Sequence, residues 1–497
     1  MDNRNSASSI LKSIGLFGGV KLFQIIVDII RTKIVAVLLG PAGMGIYGLL
    51  TSGTAMVNSL TGFGLHTSSV RDVARAYETH DDKTIGTIIY VLRKLVLFTG
   101  ILGTFTIIVL SPVLSELSFG NKDYTWAFIL VSITALFSQL QVGQTVLMQG
   151  TFHYRYMANA SVIGSVVGLV ITAPLYYFWG VKAIVPVIVL TSLCGLIISK
   201  FYASKIFYQR VSLSTKDVMR IGKAMLILGL AVALTGVVGT GQGYILRSFL
   251  SKFGSLADVG LYAAGTAIAS QYIDVILQSL GSDYAPRIAA LSNDLESFNI
   301  AVNRQIKLMV IIILPFIVPF VVFIRELTII LYSTKFLEIT EMIEWIMIGM
   351  FFRTISWCMS YTIVAMGRPK TFLLNETIAA IYSLSFYMLG FYLGRFTGIG
   401  IAFCCQYLVY TIQMYFVCRR LFGYRMEKDT LKSIYIQLIV LSVSVIVIKS
   451  MGYSTLRYIL GSVAIAITLV ASGFQLDSVI PLKTIIKSVK SKLRFKN

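Results

Sequence analysis

Four ionisable side chains stand in one apolar run. The stretch KLFQIIVDIIRTKIVAVLLG, residues 21–40, carries Lys21, Asp28, Arg31 and Lys33, although each charge at mid-membrane costs roughly 2.5–3.5 kcal/mol. At 100° per residue, Lys21, Gln24, Asp28 and Arg31 fall within about an 80° stripe, so one face of the helix they predict is wet. Lys33 falls off the stripe and can reach an interface. Two chemistries fit this pattern. Asp28 and Arg31 can pair at i,i+3 and join helices, or the cations can face an anionic substrate. Arginine presents a planar fork to phosphate oxygens and stays charged when partly dehydrated. At 4 Å and an effective dielectric of about 20, each charge pair is worth on the order of 4 kcal/mol before desolvation.

A second polar set lies further along. Gln271, Asp274 and Gln278 share one helical face, Arg247 precedes them, Arg353 and Glu376 follow, and Asn58, Gln139, Gln141, Gln144 and Asn159 dot the first half. A single buried amide usually joins helices; so many in both halves favour a water-filled path. Lys21, Arg31, Arg247 and Arg353 are its candidate substrate-binding cations, and Gln24, Asn58 and Gln278 its neutral polar lining. The carboxylates Asp28, Asp274 and Glu376 can hold a driving proton or sodium ion or can balance the arginines; both roles stay open. No other cofactor is expected. The three histidines, His66, His80 and His153, form no metal or triad spacing, and the five cysteines lie in apolar stretches without ligand spacing. These features argue against an enzyme and against a metal site.

The elements that must position these groups are membrane helices. Of 497 residues, 56% are hydrophobic and 13% charged, where a soluble chain carries about 25% charge, and the mean hydropathy is +0.80. The class is an all-α polytopic membrane protein of about fourteen spans, beginning with 14–39, 43–65 and 95–115 and ending with 372–394, 398–418, 433–451 and 455–474. The net charge of +21 gathers on one side of this topology. That is the positive-inside signature, with both termini cytoplasmic, and contact with anionic lipid heads rather than nucleic acid accounts for it.

The chain also repeats itself. Gly45 pairs with Gly260 in a shared Gly-x-Tyr element, Arg71 with Arg287, Gly150 with Gly367 and Gly180 with Gly398, at offsets of 215 to 218. Near-constant register over four landmarks indicates a duplication. Two six-helix repeats in the same orientation then enclose a central cavity. The predicted organisation is an N-lobe over 1–223, a C-lobe over 224–432, two extra helices over 433–476 and a basic amphipathic tail over 477–497 lying on the cytoplasmic surface.

RTKIVAVLLGPAGMGIYGLLTS, FGNKDYTWAF, LMQGTFHYRYMANASVIGSVVG and the run from YSTKFLEITEM to AMGRPKTFLLNE resemble the polysaccharide-export branch of the multidrug/oligosaccharidyl-lipid/polysaccharide (MOP) superfamily. The likeness is greatest to Wzx-type flippases of lipid-linked O-antigen and enterobacterial common antigen units, over roughly residues 10–420. The resemblance implies two six-helix lobes around a cationic cavity. It further implies movement of undecaprenyl-pyrophosphate-linked oligosaccharide across the bacterial inner membrane by alternating access, with a polysaccharide polymerase and chain-length machinery as partners. Onto this chain it carries Arg31, Asp28, Arg247, Asp274, Arg353 and Glu376. Relatives often have an acidic residue after the glycine matching Gly349, where this chain has Met350. The alternative is a cation-coupled small-molecule or drug exporter, which would favour a more acidic or aromatic pocket.

Overall fold

The computed structural model describes the backbone of residues 2–209, 211–291 and 294–479, with side chains described there except at 2–22, 231, 271–272, 278–280, 282–283, 285–286 and 477–479. Of the tail expected over 477–497 only the backbone of 477–479 is described, as the end of a helix, and residues 480–497 and the side chains of Lys21 and Gln278 lie outside the described residues.

Among the described residues the chain is helical, without strands. Apolar sequence of this length must satisfy every backbone polar group internally, which in lipid a helix does. Among the described residues nine helices are long and apolar enough to cross a membrane, and a bent pair spanning Thr215–Phe253 makes a tenth. Several hold two spans each, and the fourteen expected spans all fall on helices. The first helix, α1 (Asp2–Thr61), breaks at Gly40, whose φ of 66° precedes Pro41. Proline lacks the donor that would carry the helix through, so one continuous helix becomes spans one and two.

The chain packs as two compact units, residues 1–263 with 331–335, and 264–330 with 336–497. The first holds α1, α2 (Leu65–Glu78), α3 (Asp82–Phe119), α4 (Thr125–Gly150), α5 (Tyr154–Trp179), α6 (Ile184–Ala203), α7 (Thr215–Phe253) and the opening turns of α8 (Leu256–Ala290). The lobe boundary at 223 follows the sequence repeat, whereas these units follow packing, and α7 packs on α1, α2 and α3. Its approach is close: a Cβ on Gly64 would stand 2.2 Å from the Gly229 carbonyl, and one on Gly229 2.0 Å from that of Phe63. The core of this unit gathers Leu50, Phe128, Val131, Tyr176 and Tyr244, and the Tyr244 hydroxyl bonds that of Ser118 at 2.8 Å.

The connection after span two is more ordered than a loop. Leu65, Val73 and Ala76 bury one face of α2 while Arg71 and Arg75 stay exposed. Helix α3 then begins at Asp82, well before the expected span at 95. Asp81 caps it, accepting the Lys83 and Thr84 backbone N–H groups at 3.1 and 3.2 Å. The Thr84 hydroxyl also bonds it and, with the Lys83 N–H, holds the carboxyl below the ordinary 3.8.

The duplication is visible in the backbone, and it corrects the sequence pairing. His153 N–H bonds the Met148 carbonyl and Phe152 N–H that of Gln149; Arg368 N–H bonds Ile363 and Gly367 N–H bonds Val364. The turns therefore match Phe152 (φ 58°) to Gly367 (φ 70°), not Gly150 to Gly367. Likewise Gly180 (φ 53°, ψ −131°) matches Arg395 (φ 48°, ψ −126°), not Gly398. Both pairs now share the 215-residue offset of Gly45 and Gly260. Those two glycines also touch. A Cβ on Gly45 would stand 1.9 Å from the Leu256 carbonyl, and one on Gly260 1.9 Å from that of Pro41. Pro41 and Leu256 carry the same offset, so the contact is isologous, as a two-fold axis requires.

The second unit holds the rest of α8 with α9 (Leu295–Leu331), α10 (Thr340–Ala365), α11 (Pro369–Phe422), α12 (Lys428–Ser450) and α13 (Thr455–Val479). Helix α11 contains spans eleven and twelve, separated at Gly394 and Arg395. Helix α9 is broken at Phe323 (φ −104°, ψ 18°). The Arg457 guanidinium takes up the Val321 and Val322 carbonyls beside this break, at 2.7 and 3.4 Å.

Candidate functional site

Four helices of the first unit turn small polar stripes toward one space. On α1 the stripe is Tyr47, Thr51, Thr54 and Asn58; α4 adds Thr134, Ser138 and Gln141; α5 adds Ser161 and Ser165; α6 adds Thr191, Ser192 and Gly195. Steps of three and four residues keep each set on one helix face. Short side chains and glycines leave a cavity of about 480 Å³ between them. Beside it lie a lobe of about 300 Å³ at Gln24, which shares Gln141 and Ser161 with it, and a narrow one of about 90 Å³ at Tyr176, which shares Arg31 and Tyr47.

Arg31 lines both the main cavity and the narrow lobe. Among the described residues no carboxylate pairs with it. Asp28 lines neither space and does not pair with Arg31, so the i,i+3 bridge left open by the sequence is not formed. Gln24 donates its amide to the Ser161 hydroxyl. Asn58 lines the cavity, and its Oδ1 is buried without a hydrogen-bond partner. Gln139, two residues from Gln141, faces away and packs against Gly62 and Gly100. Arg247 is not part of this lining. It lies on α7, where Nη1 reaches the Gly243 carbonyl at 3.4 Å and Nε is buried unbonded.

The second unit treats its charges differently. Arg353 pairs with Asp274 at 2.7 Å, and its guanidinium lies 5.9 Å from the Tyr407 ring centroid and 3.4 Å from the Met350 sulfur. Asp274 thus takes the balancing role. Glu376 accepts a hydrogen bond from the Tyr410 hydroxyl, which stands 3.2 Å from that of Ser360. No Lys or Arg pairs with Glu376 among the described residues. Sequence reasoning passed over the hydroxyl stripes, although their three- and four-residue steps were readable. It also passed over Glu344, which holds Arg457 at 2.7 Å and Lys449 at 3.4 Å.

The family described as "Polysaccharide biosynthesis protein" matches residues 34–341, well over half of the chain. The chain belongs to this family. Among these polysaccharide biosynthesis proteins and their kin, the lipid III flippase of Escherichia coli (strain K12) is 22% identical over 361 residues, 69% of this chain and 82% of the relative. Two solved structures carry the fold. An inward-facing multidrug-resistance MATE-family transporter of the MOP superfamily superposes with a TM-score of 0.66 at 16% identity, over 80% of this chain and 95% of that one. The lipid II flippase MurJ in an inward closed conformation gives 0.64 at 14% identity, over 93% and 98%. The family member described here is therefore an integral membrane protein with a MOP-superfamily fold, and the MurJ likeness reaches past its twelfth span.

Proposed function

We propose that the chain is a flippase that moves undecaprenyl-pyrophosphate-linked oligosaccharide from the cytoplasmic to the periplasmic leaflet of a bacterial inner membrane. The observation that carries this reading is the family membership, joined to a relative named as a flippase of lipid III. The site supports it. Arg31 presents an uncompensated guanidinium inside a neutral polar cavity, which suits a pyrophosphate whose polyprenyl tail stays in lipid. Arg247 is a second candidate cation. Arg353 is already balanced by Asp274, so it contributes less net charge than its sequence position implied. The two six-helix lobes, 1–223 and 224–432, would exchange access by rearranging around the substrate. Asp28 and Glu376, neither of them paired with a cation among the described residues, are the better candidates for a coupling proton or sodium ion. Cytoplasmic termini follow from the positive-inside bias. The product would pass to a polysaccharide polymerase and its chain-length machinery. No covalent chemistry is needed.

The MATE likeness keeps a cation-coupled exporter in view as the second reading, since the fold is shared. Among the described residues the main cavity has no carboxylate in its lining and one tyrosine, a poor match to a cationic drug.

Transbilayer movement in proteoliposomes tests the proposal, scored by access of an impermeant glycan-cleaving enzyme to labelled lipid-linked glycan. Protein-dependent equilibration is expected, lost in Arg31→Glu while the variant keeps the wild-type elution profile. Full transport by both Arg31→Glu and Arg247→Glu would sink the cationic site. Absence of movement under proton and sodium gradients would favour the exporter.

A further inference from the structure

The narrow lobe beside the main cavity gathers hydrogen-bond donors around a cation. Both halves of α1, on either side of the break at Gly40, reach it: Arg31 from span one and Tyr47 from span two. Helix α5 adds Thr172 and Tyr176, and α6 adds Thr191. Thr172 and Thr191 donate to the Gly168 and Val187 carbonyls of their own helices at 2.6 and 2.7 Å, as threonine in an apolar helix does. Tyr176 has no such outlet. It is 2% exposed, and its hydroxyl is buried without a hydrogen-bond partner among the described residues. The Arg31 guanidinium lies along the same helix, with Nη1 3.8 Å from where a Cβ on Gly168 would stand. Gly168, Thr172 and Tyr176 follow at steps of four, which keeps them on one side of α5.

A buried hydroxyl is costly unless something satisfies it, and an arginine inside a membrane is costly without a counter-charge. One occupant can answer both. A guanidinium only donates, and a phenol donates readily; among the described residues the lobe has no carboxylate in its lining. This donor set repels a cation and suits an anion. Size narrows the choice, because about 90 Å³ falls well below the roughly 300–1,000 Å³ usual for organic ligands. A diphosphate with a sugar on one side and a polyprenyl chain on the other is too large, whereas a monatomic anion fits. We infer that the narrow lobe is a site for a small inorganic anion of the chloride class, which accepts a hydrogen bond from Tyr176 and balances Arg31. The ion gives Arg31 a resting counter-charge and joins α5 to α1. It does not depend on what the main cavity carries.

Thermal unfolding of the purified full-length protein tests the site, with sodium chloride titrated against sodium gluconate at constant ionic strength. A ligand of the folded state raises the unfolding midpoint by mass action, so the wild-type midpoint should rise with chloride and saturate. Tyr176→Phe removes a hydroxyl that bonds no protein group, so in gluconate the variant should match or exceed wild type in stability. Its half-saturating chloride concentration should be about tenfold higher or more, the effect of one hydrogen bond to a charged partner. Arg31→Gln should abolish the saturable rise. The site is overturned if wild type shows no saturable rise, or if Tyr176→Phe leaves that rise unchanged. A rise with sodium phosphate and none with chloride assigns Arg31 to a phosphate-bearing ligand alone and also overturns it. So does a Tyr176→Phe variant displaced from wild type by the same amount in both salts, since its hydroxyl then serves no ion. Should Arg31→Gln fail to fold, chloride NMR line widths decide between wild type and Tyr176→Phe. Excess broadening by wild type, removed by added bromide, is expected; equal broadening by the two proteins overturns the inference. None of these outcomes bears on transbilayer movement, which tests the flippase reading separately.

Discussion

At the residue scale, Arg31 and Arg353 show how neighbours set the meaning of one side chain. Both are arginines in membrane helices, and both looked like substrate-binding cations. Asp274 stands 2.7 Å from Arg353, so that charge is spent within the second unit. Arg31 has no such partner among the described residues and faces a cavity. The pair makes a prediction about stability. Asp274→Asn should destabilise the protein, because it leaves a half-buried guanidinium without its counter-charge, and Arg353→Gln should do the same. In the double variant the losses should not add, with a coupling of about 2 kcal/mol in thermal unfolding. Strict additivity would mean that solvent already screens the pair. The sequence could nominate these residues by type and spacing. It could not tell a free cation from a paired one, because the partner lies 79 positions away.

At the element scale, the turns and glycines carry the duplication. Sequence pairing matched glycine to glycine, but the backbone matches positive φ to positive φ, and Phe152 and Arg395 adopt it without being glycine. Such a residue costs conformational energy, so identity alone led the register astray by two or three residues. The Gly45–Gly260 contact has no such freedom, since a methyl on either would press on a backbone carbonyl at 1.9 Å. Gly45→Ala and Gly260→Ala should each lower thermal stability by at least about 2 kcal/mol. Their effects should be similar in size and less than additive, because both separate the same two segments. Gly48→Ala, with nothing within 4 Å of the new methyl, serves as control. It should be neutral or stabilising by up to about 1 kcal/mol through helix propensity. Equal behaviour of all three would refute the close contact.

At the scale of the whole molecule, the helices beyond the duplication are tied into the second unit by buried charge. Glu344 on α10 is 3% exposed and Arg457 on α13 is 2% exposed; Lys449, at the end of α12, completes the cluster. Glu344→Gln removes the carboxylate that balances both cations. Its expected cost is about 3–5 kcal/mol in thermal unfolding, the penalty of an orphaned buried charge. Replacing all three residues with apolar ones should recover much of it, and wild-type stability of Glu344→Gln would show that the cluster holds nothing.

Composition, apolar run length and the positive-inside bias identify a many-spanning helical membrane protein, because the bilayer permits little else. The repeat was legible for the same reason: it is written in local patterns such as Gly-x-Tyr. Pairing was not. Which arginine meets a carboxylate, which amide faces a cavity and which packs on glycine, and where α12 and α13 attach all depend on contacts between residues far apart in the chain. Gln139 and Gln141 read alike as sequence, and only the packing of α4 sends one into the wall and the other into the cavity.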